Sequence, residues 1–146
     1  MSGKERNSMG TVIRPEITKR NDYYISKHRY YELKHFCLQY YEWKDLYNKL
    51  NGTPSSLSFD IMPRKTEVSN PTEKVAIAKA EYAYNMKLIE DVAKETDSEL
   101  WTYIFKAVTK GITYSSLEVR DGIPCCRDTF YDRYRKFFWL LSSARR

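Results

Sequence analysis

The chain has 146 residues, a formal net charge of +6, 42% hydrophobic residues and 30% charged ones. That is enough length and apolar content for one folded domain, and it excludes a disordered chain. No apolar run approaches the roughly 18 residues of a membrane span, and Met1–Asn7 puts no apolar stretch behind its charges, which predicts a cytoplasmic protein without a signal peptide.

Residues 1–50 carry ten Lys/Arg against six Asp/Glu, residues 51–110 eight against nine, and residues 111–146 seven against four. Basic ends around a neutral middle suit a protein whose ends meet a polyanion. Residues 1–21 are polar and basic and read as a flexible tail. A first long helix is expected from Tyr23 to Leu50, with Asp22 as N-cap and Asn51-Gly52 as the stop. Leu33, Phe36, Tyr40, Trp43, Tyr47 and Leu50 repeat at heptad spacing along it, a seam that wants a partner helix. The remainder of that strip, beyond what the second helix covers, predicts a homodimer. Seven tyrosines between Tyr23 and Tyr47 interleave with Lys27, Arg29, Lys34 and Lys44. Single-strand stacking platforms mix residues this way, but helical spacing makes packing the favoured explanation.

A connector rich in Pro and Ser closes the expected 22–70 segment. The 71–146 segment then opens on Asn70-Pro71-Thr72-Glu73, an N-cap, a proline at N1 and a glutamate at N3. Val75, Tyr82, Met86, Ile89 and Ala93 mark the inner face of this second long helix. Thr96-Asp97-Ser98-Glu99 reads as another capping box. The following helix has Leu100, Trp101, Ile104, Phe105 and Val108 inside and Gly111 at its end. Nothing reads as a strand, so the fold class is all-α.

From about residue 97 to 143 the pattern is a helix-turn-helix. A short helix spans Ser115–Arg120, and Asp121-Gly122-Ile123-Pro124 makes the turn. A long helix follows from Cys125 to about Ser143. Phe130, Tyr134, Phe137, Phe138 and Leu141 form its apolar stripe. Arg127, Asp128, Asp132, Arg133, Arg135 and Lys136 are placed off it. Trp101, Ile104, Phe105, Val108, Leu117, Ile123, Phe130, Tyr134 and Phe137 are expected to share one core. A short helix, a tight turn and a longer helix offering arginines is an arrangement that enters the DNA major groove. Asp128 and Asp132 could hold a cation one turn apart, but between arginines they read more simply as ion pairs and a helix-start carboxylate.

The run Gly111-Ile112-Thr113-Tyr114-Ser115-Ser116-Leu117, then Gly122-Ile123-Pro124, is similar to the pattern of bacterial sigma-factor region 4-like domains. More narrowly, the chain resembles small phage and prophage regulators of the RinA/ArpU kind. That resemblance implies sequence-specific binding of double-stranded DNA, transcriptional regulation inside a bacterial host cell, and contact with RNA polymerase. The expected DNA-binding residues are Ser115, Arg120, Cys125, Arg127, Asp128, Thr129, Asp132, Arg133 and Lys136. Thr129 and Phe130 come seven and eight residues after Gly122, against four and five in the usual motif. Either the helix begins later, near Asp128, or Pro124–Arg127 adds a turn. A packaging protein of the small-terminase type and a protein-binding module of the transcription machinery are the alternatives.

Enzyme chemistry finds no support, for there is no Gly-rich phosphate loop, nucleophile elbow or His-Glu metal motif. Cys37, Cys125 and Cys126 make an odd count without CxxC spacing, and His28 and His35 share a helix face without a carboxylate pair. No catalytic residue, metal site or cofactor is expected.

Overall fold

The computed structural model describes residues 20–51 and 70–145. Six helices and no strand occur among them: α1 (Lys27–Leu38), α2 (Tyr40–Leu50), α3 (Pro71–Thr96), α4 (Trp101–Lys110), α5 (Tyr114–Asp121) and α6 (Arg127–Ala144). The chain is all-α. The expected tail up to residue 19 and the connector over 52–69 lie outside the described residues.

The single first helix expected from sequence is two helices. Asn21 Oδ1 accepts the Tyr23 amide at 2.8 Å, so Asp22 sits in a turn. Ser26 is the N-cap instead, accepting from the Arg29 amide at 3.4 Å. The interruption falls at Gln39. Its backbone N–H donates to the Phe36 carbonyl, three residues back, at 3.2 Å. Its side-chain amide donates at 3.2 Å to the His35 carbonyl, the acceptor a continuous helix would offer that N–H. The break lets α1 pack on α4 and α6 while α2 packs on α3. Leu33, Phe36, Tyr40, Trp43 and Leu50 are buried and Tyr47 partly so. The strip that suggested a dimer is therefore covered by its own chain.

α3 starts where the sequence places it, with Asn70 Oδ1 accepting from the Thr72 and Glu73 amides at 2.9 and 3.4 Å. The next cap differs from expectation. Thr96 stays in α3, buried, with its hydroxyl donating to the Val92 carbonyl at 2.8 Å. Asp97 instead holds the turn over 98–100 that leads into α4, accepting from the Glu99 and Leu100 amides at 2.8 Å each, and Leu100 is the residue that precedes the helix. α4 ends at Gly111, whose φ of 68° is left-handed. The Gly111 and Ile112 amides both return to the Ala107 carbonyl, satisfying an end that α4 would otherwise leave open.

α6 packs on α1, α3 and α4. Phe130, Phe137, Phe138 and Leu141 are buried with Ile104, Val108, Leu117 and Ile123 in a core to which α1, α2 and α3 also contribute. Trp101, Phe105 and Tyr134 are only partly buried against it. Phe105 turns to Tyr40, edge-on at 5.0 Å, and Trp101 lies under the Lys94 ammonium at 5.2 Å. The Tyr30 and Tyr134 hydroxyls meet at 3.1 Å. At the end of α6 the Arg29 guanidinium donates to the Ser142 hydroxyl and carbonyl, both at 3.0 Å, and to the Arg145 carbonyl. A cation there answers the negative end of the helix dipole.

Candidate nucleic-acid interface

α5 begins at a Thr113 cap in extended conformation, with Oγ1 accepting from the Ser116 amide at 3.3 Å. Ile112 is half-buried before the cap and Leu117 fully buried after it, a hydrophobic staple that fixes the entry to α5. Gly122 closes α5 at φ 60°, and Ile123 plugs the turn at 7% exposure. Lys106 of α4 reaches Asp121 at the end of α5, 3.0 Å away.

Neither Pro124 nor Cys125 belongs to the final helix, which corrects the expected start. α6 begins at Arg127, after Cys126 in extended conformation. The reason lies in Tyr114. Its hydroxyl donates to the Cys125 carbonyl at 2.6 Å and holds the turn against α5. Its ring stands 5.7 Å from Phe130, and its backbone N–H points to the Tyr131 hydroxyl at 3.5 Å. Of the two spacings left open by the sequence, the later start is the one adopted, and Thr129 falls in the first turn of α6.

Ser115, Arg120, Arg127, Asp128 and Thr129 are exposed, whereas Cys125, Asp132, Arg133 and Lys136 are half-buried. The structure brings Ser115 and Arg127 together, with the guanidinium donating to the Ser115 hydroxyl at 3.1 Å and lying 5.4 Å from the Tyr114 ring centroid. The sequence reading set Arg127 off the apolar stripe. It stands three residues before Phe130 and seven before Tyr134, so it is on the stripe, and its place at the helix end keeps it exposed. Arg133 pairs with its neighbour Asp132 at the helix surface rather than with a residue one turn away. Its side chain keeps 27% exposure, so the basic face expected along α6 is open mainly in the first turn.

The local charge is balanced. Arg120 and Arg127 share this stretch of chain with Glu118, Asp121 and Asp128, and Asp121 is paired with Lys106. Cys126, exposed, has its Sγ 3.3 Å from the Thr129 hydroxyl. That hydrogen bond, with support from the Thr129 and Asp128 amides, holds its thiol below the ordinary cysteine value. Burial pushes the neighbouring Cys125 thiol up. Sequence reasoning missed Tyr114, Tyr131 and Cys126 as the groups that shape this corner. Tyr114 carried a signal, since it directly follows the helix cap, but its partner Cys125 is visible only once the turn is folded.

Among the described residues no group of three or more His, Cys, Asp or Glu is placed to hold a metal ion. No described helix is long and apolar enough to cross a membrane. In comparisons with known proteins, no family model, curated protein or solved structure matches this chain.

Proposed function

We propose that the chain binds double-stranded DNA, with α5 and α6 acting as a helix-turn-helix, and that it regulates transcription of phage or prophage genes. The observation that carries this reading is the exposed first turn of α6 set against the start of α5, with Arg127 on Ser115. Recognition helices meet base edges with their N-terminal residues while the preceding helix crosses the backbone. Arg127, Asp128 and Thr129 take the base-reading role. Ser115 and Arg120 meet phosphates, and Asp132, Arg133 and Lys136 border the groove one turn further on. Contact with RNA polymerase follows from the family resemblance alone. A two-fold operator would need a dimer contact elsewhere than the α1–α2 seam, which the core already occupies.

The test is selection of bound duplexes from a randomised library, followed by binding measurements on the parent, Arg127→Ala and Thr129→Ala. A recurring motif should emerge. Each variant should lose preference at one position of it, because a good base contact is worth about 1–3 kcal/mol of discrimination. Selection that enriches no motif overturns sequence-specific recognition.

A further inference from the structure

Beside the start of α5 the surface gathers two cations that the base-reading turn does not use. Tyr41 of α2 is 40% exposed. The Lys44 ammonium lies 5.9 Å from its ring centroid, and the Lys110 ammonium, from the end of α4, lies 5.4 Å from it. Both lysines are exposed, and neither pairs with a carboxylate among the described residues. Asp45, next in the chain after Lys44, is held by Lys49 at 3.1 Å. An exposed cation–ring contact is weak, and two like charges beside one ring repel each other. An anion placed between them relieves that repulsion.

The kind of anion follows from what remains free on Tyr41. Tyr40 packs at 5.0 Å and both ammonium groups lie within 6 Å of the ring centroid, so a base stacking on Tyr41 competes with contacts the ring already makes. What the cluster offers is hydrogen-bond donors, and lysine and tyrosine donors are suited to phosphate oxygens. Lys110 closes α4, four residues before Tyr114 opens α5 of the proposed helix-turn-helix. Lys110 is joined to α5 through Gly111–Thr113, and Ser115 in the first turn of α5 carries Arg127. The Gly111 backbone lies so close to α1 that an added Cβ would stand 3.6 Å from Leu38 Cδ2. The α4–α5 junction thus rests against the α1–α2 bend.

We infer that Tyr41, Lys44 and Lys110 form a phosphodiester anchor that holds the backbone of the same duplex whose bases meet the first turn of α6. This extends the helix-turn-helix reading and rests on it. The anchor carries no sequence information, so it contributes affinity and salt dependence but not specificity.

The experiment compares the full chain with Lys44→Gln/Lys110→Gln, Lys44→Arg/Lys110→Arg and Arg127→Ala on a selected duplex and an unrelated one across a salt series. Both lysines are exposed, so the double variants should melt like the parent. The Gln pair should weaken binding to both duplexes by the same factor and shallow the logarithmic salt slope by about two units, one per lysine. The Arg pair should keep the parental slope. If the Gln pair binds with the parental slope while Arg127→Ala loses preference for the selected duplex, the anchor is overturned and the helix-turn-helix reading stands. A parent chain that binds neither duplex overturns both.

Discussion

The C-terminal part of α6, from Tyr134 on, and its first turn differ in what holds them. Phe137, Phe138 and Leu141 are buried, Arg29 takes up the closing carbonyls, and Tyr134 is tied to α1 through Tyr30. The first turn has Phe130 as its anchor, while Arg127, Asp128 and Thr129 stand exposed. One helix thus combines a fixed end with a presenting end. A side chain that must meet another molecule stays accessible only where the packing runs out, and it keeps a defined position only because the packing begins one turn later.

The severest test of the fixed end is Phe137→Ala. Removing a fully buried phenylalanine should cost about 3–5 kcal/mol, a large share of the ~5–15 kcal/mol that keeps a domain folded. Thermal denaturation should show a sharply lowered midpoint, and a parental melting curve would break the contrast drawn between the two ends.

Tyr134→Phe comes next. It leaves the partly buried Tyr30 hydroxyl without its partner, at a cost of about 1–3 kcal/mol, and Tyr30→Phe/Tyr134→Phe should recover much of that loss. The same pair predicts an alkaline limit. Burial raises both phenols above the ordinary tyrosine value, so the folded state keeps their protons longer than the unfolded chain does. Their contribution is complete below the unfolded value of about 10 and is lost as pH rises from there toward the folded values. Denaturation followed against pH should show stability falling above about pH 10, and falling less in the double phenylalanine variant. An unchanged alkaline limit in that variant would show that these phenols do not set it.

Gly122→Ala probes the turn that leads from α5 into the exposed end of α6. An added Cβ meets nothing within 4 Å, so only the left-handed backbone at φ 60° resists it. The expected loss is about 1–2 kcal/mol in chemical denaturation. A stabilised variant would mean that the turn does not need this conformation.

The smallest effect on stability is expected for Arg127→Ala. Its melting curve should stay close to the parent's, as for most exposed positions, while affinity for a selected duplex falls about tenfold or more. An unstable Arg127→Ala would instead assign this guanidinium to structure, through Tyr114 and Ser115, rather than to recognition.

Local chemistry wrote several of these features into the sequence. Asn70-Pro71 starts α3, Gly111 and Gly122 end α4 and α5, and Thr113 caps α5, because each depends only on neighbouring backbone groups and on the conformations its own side chain allows. The aromatic stripe of α6 was equally legible, since helical periodicity alone places Phe130, Phe137, Phe138 and Leu141 together. Three failures share one cause. Gln39 looks like any polar helix residue until α4 and α6 claim one half of the heptad seam and α3 the other. Pro124 and Cys125 look like a helix start until Tyr114 takes the Cys125 carbonyl. Arg127 looks like part of a basic face until the position of that start puts it over α5. Periodicity and capping determined which segments are helical and which side chains are apolar on each. Which helix answers which face, and therefore which residues remain exposed, was decided by contacts between residues far apart in the chain, and no local pattern encodes those.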